Sequence, residues 1–316
     1  MTSYLLRRLV YAVVVIFLVA TLTFVLVQTA PGGLSILMDP NMPPSEVARL
    51  ERNLGLDRPI HVQYWNWLSN AVQGDLGASL SYGGRPVSGM VLERVPATVY
   101  LGVAALVITL VIGIPCGILA ARHQNRAVDQ VIGFLSFVAL AVPNFWLGIM
   151  FIILFGAELR WLPTSGMGPR GDNFDLVQSL RHLALPAVVL ATSSAAAVVR
   201  YTRSSWLEVA GLDYVRTGRS KGLPEGQLGL KHILRNALIP IVTIVGVQLP
   251  RVIGGAAVIE TLFSWPGLGQ LGVDAALRRD TPLILGVTLI VSAAVVLSNL
   301  LVDMIYPVID PRIRYS

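Results

Sequence analysis

The chain has 316 residues, of which 54% are hydrophobic and only 13% charged, with a mean hydropathy of +0.67 and a formal net charge of +6. A water-soluble domain carries far more charge, so this composition excludes an ordinary soluble globular protein. It predicts an all-α polytopic membrane protein, because helices satisfy their own backbone hydrogen bonds in lipid. The pI near 9.8 does not indicate nucleic-acid binding, since the basic residues are spread along the flanks of apolar runs.

Six apolar runs predict six transmembrane helices, each close to the length of about 20 residues that a bilayer requires. The runs are 9–27, 98–121, 131–156, 183–199, 237–259 and 283–302. The first run follows Arg7 and Arg8 as a signal peptide would. It exceeds the apolar core of a signal peptide and lacks a convincing cleavage site, so we interpret it as a retained span.

The distribution of Lys and Arg predicts the orientation. Basic residues that fall on one side are Arg7, Arg8, Arg122, Arg126, the cluster between Arg200 and Arg235, Arg312 and Arg314. That side should be cytoplasmic, which places both termini inside. The predicted organisation is 1–30 for the N-terminus and first helix, 31–97 for an extracytoplasmic segment, 98–308 for a five-helix core with a cytoplasmic loop at 203–236, and 309–316 for the tail.

The extracytoplasmic segment contains an aromatic stretch, 59–73, that includes Tyr64, Trp65 and Trp67. Aromatic residues of this kind favour the headgroup level of a membrane or a docking surface. The segment is too small to hold much independent core, so we expect it to lie against the membrane helices.

Motifs that would indicate catalysis are weak or missing from the sequence. Residues Gly267 to Gly272, "GLGQLG", match G-x-G-x-x-G, but "FSWP" precedes them where a dinucleotide site needs a strand. No phosphate-binding loop, H-E-x-x-H or G-x-S-x-G occurs, and the four histidines do not form a metal-ligand spacing. We therefore predict no catalytic residue, no metal site and no cofactor on this chain.

Several residues within the spans point to a pathway through the membrane. Prolines at 115, 143, 186 and 250 permit kinks, and we predict that Pro143, Asn144, Arg251 and Glu260 belong to a pathway or gate. Arg251 should face protein or water, because a guanidinium in lipid is costly. Glu260 lies about 13.5 Å further along a straight helix, too far for direct pairing. Arg251 is either a structural snorkelling residue or the lining of an aqueous pathway.

A polar, basic stretch, "YVRTGRSKGLPEG", follows the fourth span from Tyr214 to Gly226. Asp213 is the predicted N-cap of a short helix, and Gly222 followed by Pro224 is its predicted stop. Its remaining residues are Tyr214, Arg216, Thr217, Gly218, Arg219, Ser220 and Lys221. Such a helix could lie on anionic lipid or fit a groove in a cytoplasmic protein. The glycine stop and the lack of Trp or Phe favour the protein groove.

This stretch, with "HILRNALIP" from His232, resembles the EAA coupling loop of binding-protein-dependent ABC importer permeases of the peptide/nickel family. Further matching segments are "LGLDRPIHVQYWNWL" from Leu54, "GDLGASL" from Gly74, "ERVPAT" from Glu93, "LPTSG" from Leu162, "ETLFSWPGLGQL" from Glu260 and "DPRIR" from Asp310. They extend over nearly the whole chain. The loop departs from the family pattern E-A-A-x-x-x-G, since its Glu and both Ala are replaced, and Gly222 retains the final glycine.

The resemblance implies an ABC importer type I permease fold with an extracytoplasmic insertion after the first helix, in a bacterial inner membrane. It implies a second homologous permease subunit, two ATPase domains that hold ATP and Mg, and an extracytoplasmic substrate-binding protein. We expect that protein to dock on Tyr64, Trp65, Trp67, Trp265 and Gly267. Alternating access would move di- or oligopeptides, or else glutathione, haem or a nickel chelate. The rival class is a stand-alone secondary transporter or channel, which predicts inverted repeats or several intramembrane ionisable groups.

Overall fold

The computed structural model describes residues 2–29, 45, 57–169, 171 and 175–309, and some side chains within the helices lie outside this description. The helices are α1 (Thr2–Thr29), α2 (Ile60–Val72), α3 (Val87–Arg122), α4 (Ala127–Ala141), α5 (Asn144–Phe151), α6 (Leu176–Ala210), α7 (Asp213–Ser220), α8 (Arg235–Leu262), α9 (Leu268–Leu277) and α10 (Thr281–Ile309). Two π-helical segments, Ile152–Glu158 and Leu228–Leu234, continue α5 and lead into α8; a single turn, Glu225–Gln227, precedes the second.

The chain divides into two compact units, 1–98 with 266–296 and 99–265 with 297–316. In the first unit, α2 packs along α1 through aromatic side chains. Tyr64 lies between Phe17 and Phe24 of α1, with ring centroids 6.4 and 5.2 Å away, and its hydroxyl forms a 2.6 Å hydrogen bond with Thr21. Trp67 also contacts Phe24. The expectation that this segment lies against the membrane helices is therefore confirmed for α2.

The loop between α2 and α3, also in the first unit, is held by the carboxylate of Asp280. This group is completely buried and accepts hydrogen bonds from the hydroxyl of Ser79 and the backbone N–H of Ser81. It also accepts from the N–H of Leu283 in the first turn of α10. A buried carboxylate needs such donors, and here they fix the glycine-rich loop to the start of the last helix.

The second unit is centred on α6, which packs against α4, α5 and α8. A narrow contact between α3 and α6 depends on two glycines. A Cβ at Gly113 would lie 2.7 Å from Cγ1 of Val198, and a Cβ at Gly117 would lie 2.5 Å from Cβ of Thr202. Only a residue without a side chain allows this approach, so Gly113 and Gly117 form a helix-packing face.

The third apolar run, 131–156, was predicted to form one helix. In the structure it is broken into two. Its two parts, α4 and the continuous 144–158 segment, are bent by 101° at a short break. Val142 and Pro143 both adopt extended backbone conformations, because the ring of a proline disfavours the helical region for the residue before it. Pro143 thus ends one helix and precedes the next, and its effect is larger than the predicted kink.

The number of spans stays a prediction. Among the described residues, four helices are long and apolar enough to cross a membrane, or five if the bent pair is one span. These five correspond to the predicted first, second, third, fourth and sixth runs. The run predicted at 237–259 lies within α8, which is a single 28-residue helix, although several of its side chains lie outside the described residues. The predicted boundary at 97/98 falls inside α3.

Candidate functional site

The polar stretch after α6 folds into the short helix α7, as the sequence predicts. Its first residue is Asp213 and its N-cap is Leu212, which offers no side-chain hydrogen bond. The prediction of Asp213 as the N-cap is therefore wrong by one position. The Asp213 carboxylate instead lies in the first turn, 3.8 Å from Arg216, where a negative charge is favourable to the helix dipole.

One face of α7 is inserted into a hydrophobic cluster that we call the seat. Val215 is completely buried in it, and Gly218 is buried beside it. The other buried members are Ala121 of α3, Trp206 and Val209 of α6, Leu228 and Ile233 of the π-helical segment before α8, and Ala237 in the first turn of α8. Because an isolated helix of eight residues is unstable in water, these contacts are what hold α7 in place.

The C-terminal end of α7 is fixed by a glycine and by an ion pair. Gly222 has φ +78°, a conformation that side chains disfavour, and it ends the helix as predicted. The guanidinium of Arg219 donates to the Glu225 carboxylate at 2.7 Å. This hydrogen bond lowers the pKa of Glu225 below its ordinary value of 4.5. The pair is exposed and contributes little stability, but it closes the turn between α7 and the next segment.

The outward face of α7 is polar and basic, with apolar side chains at its edge. Arg216, Thr217, Ser220 and Lys221 are exposed. Tyr214 is half exposed, and its hydroxyl accepts a 2.9 Å hydrogen bond from Nδ2 of Asn236. Leu212 and Leu223, which flank the helix in sequence, are 45% and 37% exposed. This mixture of cations and apolar groups suits contact with a protein surface better than insertion into lipid.

An ion pair that the sequence analysis did not foresee lies between α4 and α6. Nε and Nη2 of Arg203 donate to Oδ1 and Oδ2 of Asp129 at 2.6 and 2.7 Å. The second oxygen also accepts the backbone N–H of Asn125 at 2.9 Å. The Asp129 side chain is 8% exposed and that of Arg203 is 33% exposed. Arg203 lies seven residues before the end of α6 at Ala210, about 10 Å along the helix axis.

The residues predicted for a pathway or gate occupy different environments. Pro143 is exposed at the helix break, and Nδ2 of Asn144 lies 3.3 Å from Oγ of Ser193 on α6. Glu260 is completely buried. Arg251 belongs to α8, but its side chain lies outside the described residues. The structure therefore places Asn144 against α6 and leaves the pathway role of these residues a prediction.

The residues predicted to dock a binding protein differ in accessibility. Trp65 is 60% exposed, whereas Tyr64 and Trp67 pack on α1. Trp265 is completely buried, and Gly267 is the N-cap of α9. A docking partner could reach Trp65 directly, but it would meet the Trp265 loop only through neighbouring residues.

Family models account for almost the entire chain. Residues 113–315 match the model described as "Binding-protein-dependent transport system inner membrane component", and residues 1–102 match its N-terminal companion. The chain belongs to this family. It is thus the membrane-embedded permease subunit of an ABC importer, and the seat and α7 lie within the region that defines the family.

Similar proteins cover the permease from end to end. The oligopeptide transport system permease protein AppB of Bacillus subtilis (strain 168) is 42% identical over 316 residues, which is all of both chains. The glutathione transport system permease protein GsiC of Escherichia coli (strain K12) is 38% identical over 317 residues, again all of both chains. These relatives confirm that the resemblance to peptide-family permeases is correct.

A solved structure shows that the fold is also shared. The inward-facing MetNI methionine ABC transporter contains a chain that aligns with a TM-score of 0.54 at 20% identity. The alignment covers 70% of this permease and 96% of that chain. The match confirms the predicted type I permease fold, while the low identity limits it to the fold.

Proposed function

We propose that this permease forms one half of a translocation pathway, with a second homologous permease as the other half, and that α7 couples it to ATPase subunits. The observation that carries the proposal is the seat. Val215 and Gly218 join α7 to α6 and to the lead-in of α8, while the basic face of α7 points away from the chain. A force applied to that face would reach both long helices together.

The coupling energy would come from two ATPase domains that bind ATP and Mg. Moving a two-state equilibrium from 1:99 to 99:1 requires about 5.5 kcal/mol of differential binding. Closure of an ATPase dimer on nucleotide would supply it, and the packed seat would carry it. The permease would then alternate between two access states, with both termini in the cytoplasm of a bacterial cell and an extracytoplasmic binding protein on the opposite face, where Trp65 is the accessible contact.

The cargo that we propose is a di- or oligopeptide. The relatives at 42% and 38% identity are named as oligopeptide and glutathione permeases, and each aligns over its full length. Haem and nickel chelates are the remaining alternatives. Calorimetric titration of the partner binding protein with each of these compounds would separate them, and exclusive binding of haem or nickel would contradict the peptide assignment.

The coupling role is tested by reversing one exposed charge, Arg216→Glu. The basic face of α7 calls for an acidic groove on the ATPase subunits, where a like charge costs several kcal/mol, so the amount of ATPase that co-purifies with the tagged permease should fall by about tenfold or more. The matched control is Arg126→Glu, an exposed arginine in the connection between α3 and α4. It should leave the ATPase yield unchanged.

The same experiment addresses the rival class. A stand-alone secondary transporter or channel would purify without ATPase subunits. Neither Arg216→Glu nor Arg126→Glu would then change which proteins co-purify with it. Equal ATPase recovery from wild type and Arg216→Glu, with both well assembled, would show that α7 is not the attachment point.

A further inference from the structure

The contact between α4 and α6 is uneven along its length. An apolar cavity of about 250 Å³ lies between these helices and α3. It is lined by residues that include Ile112, Cys116, Leu135, Ala139, Ala191 and Ala195. Because dispersion attraction falls steeply across a gap, apolar packing holds α4 to α6 less firmly here than a filled core would.

Two polar contacts also join the broken span to α6. The bidentate pair of Arg203 and Asp129 lies at the start of α4. Asn144 and Ser193 form the second polar contact, just after the break at Pro143. The broken span is thus attached to α6 by side-chain hydrogen bonds in the first turn of α4 and at the first residue of α5, of which the ion pair has much the shorter distances.

The ion pair is built as a rigid joint. A guanidinium that donates two parallel hydrogen bonds fixes both distance and orientation. Asp129 is nearly inaccessible, and its second oxygen also accepts from Asn125, a residue with φ +63° in the turn after α3. One carboxylate therefore connects the turn after α3, the first turn of α4 and the cytoplasmic part of α6.

The second half of the broken span, which begins with α5, contacts the C-terminal end of α8. A Cβ at Gly148 would lie 2.5 Å from Cδ2 of Leu262 and 3.3 Å from Cε2 of Phe263. This close contact is two to three residues from the buried Glu260. A displacement of α4 and α5 would therefore be felt at the end of α8 opposite the seat.

We infer that Arg203 and Asp129 are positioning residues for coupling: their ion pair makes the broken span move with α6 when α7 is displaced. This inference rests on the proposed function of α7. Arg203 lies on the uninterrupted helix α6, about 10 Å before the end that α7 follows, and Asp129 lies in the first turn of the broken span, whose second half contains Gly148. Without the pair, α4 would follow α6 through helix packing alone, which the pocket between them reduces along part of its length.

The test is a double-mutant cycle in the complete transporter, reconstituted with its ATPases, second permease and binding protein. The readout is the factor by which the binding protein, purified with the ligand that it carries, stimulates ATP hydrolysis. Asp129→Asn and Arg203→Gln should each lower this factor by about 2-fold to 30-fold, the range for residues that carry coupling. The double variant should match the single variants, because each change breaks the same interaction.

Two further variants separate positioning from general stability. Arg203→Lys keeps the charge but loses the parallel hydrogen bonds, so its stimulation should fall between wild type and Arg203→Gln. In the control pair, Arg85 and Glu93, both side chains are exposed, and one guanidinium nitrogen donates to both carboxylate oxygens at 3.0 and 3.2 Å, longer than in the pair between α4 and α6. Glu93→Gln should retain the wild-type factor.

Full stimulation in Asp129→Asn, or additive losses in the double variant, would overturn the inference. Failure of both Asp129→Asn and Arg203→Lys to assemble would show a purely structural pair and would overturn it too. The proposed function fails separately: if Arg216→Glu keeps its ATPases, α7 is not the coupling element, whatever the ion pair does.

Discussion

Gly218 and Gly222, only four residues apart, serve different physical purposes. Gly222 is needed for its φ of +78°, and a Cβ there would meet nothing within 4 Å. Gly218 is in ordinary helix, but a Cβ would lie 3.2 Å from Cδ2 of Leu228 and 3.4 Å from Cδ1 of Leu223. The helix stop was predictable from Gly222 and Pro224. The close packing at Gly218 was not predictable, because Leu223 and Leu228, which it faces, follow α7 in the sequence and reach Gly218 only when the chain folds back.

Enlarging Gly218 should displace α7 from its seat. Gly218→Leu would overpack the contact with Leu228 at a cost of about 1–3 kcal/mol, and we expect lower ATPase stimulation and a lower thermal unfolding temperature of the complex. Gly226→Leu is the matched control, since Gly226 has open space around it. Equal stimulation in both variants would contradict a tight seat.

At the scale of elements, the apolar runs predicted where helices lie but not where a helix breaks or bends. The third run reads as one span because it contains no charged residue and is almost entirely apolar, and hydropathy carries no information about the direction of the chain. The 101° bend at Val142 and Pro143 follows from backbone sterics. The pair of Arg203 and Asp129 was also missed, because its members are 74 residues apart and each resembles an ordinary charge at the flank of a span.

Removing the proline should allow the broken span to straighten. Spin labels at the exposed positions Val131 and Ile153 would be about 33 Å apart on one continuous helix and about 20 Å apart across the observed bend. Pro143→Ala restores a backbone N–H and relieves Val142, so we expect the longer distance to become populated in double electron–electron resonance.

Pro186→Ala is the control for this measurement, because Pro186 lies inside the continuous helix α6. It should leave the distance between the two labels unchanged. A distance that stays short in Pro143→Ala would mean that tertiary contacts, such as Gly148 against Leu262, hold the bend without the proline.

At the scale of the whole molecule, family membership and fold agree with the composition. Hydropathy alone indicated a polytopic helical protein, and the motifs near Tyr214 and Glu260 indicated the family. Which aromatic side chains are buried and which are exposed was less predictable from the sequence. Tyr64, Trp67 and Trp265 look like surface anchors in the sequence, yet Trp265 is buried and the other two pack on α1, because aromatic side chains serve cores and interfaces equally well.

The predicted orientation can be checked by cysteine labelling in intact cells. In a Cys116→Ser background, Asn66→Cys and Ser220→Cys place single thiols at exposed positions on α2 and α7. An impermeant maleimide should label residue 66 at once and residue 220 only after the membrane is permeabilised. The reverse pattern would invert the topology and remove α7 from the reach of cytoplasmic ATPases.

Helix α6 runs without interruption for 35 residues, about 52 Å, whereas the hydrocarbon layer of a bilayer is about 30 Å thick. About 20 Å of this helix would therefore extend beyond the hydrocarbon layer. The proposed contact of α7 with the ATPase subunits would thereby be set apart from the lipid, so bilayers made of shorter or longer acyl chains should alter insertion and tilt more than they alter docking.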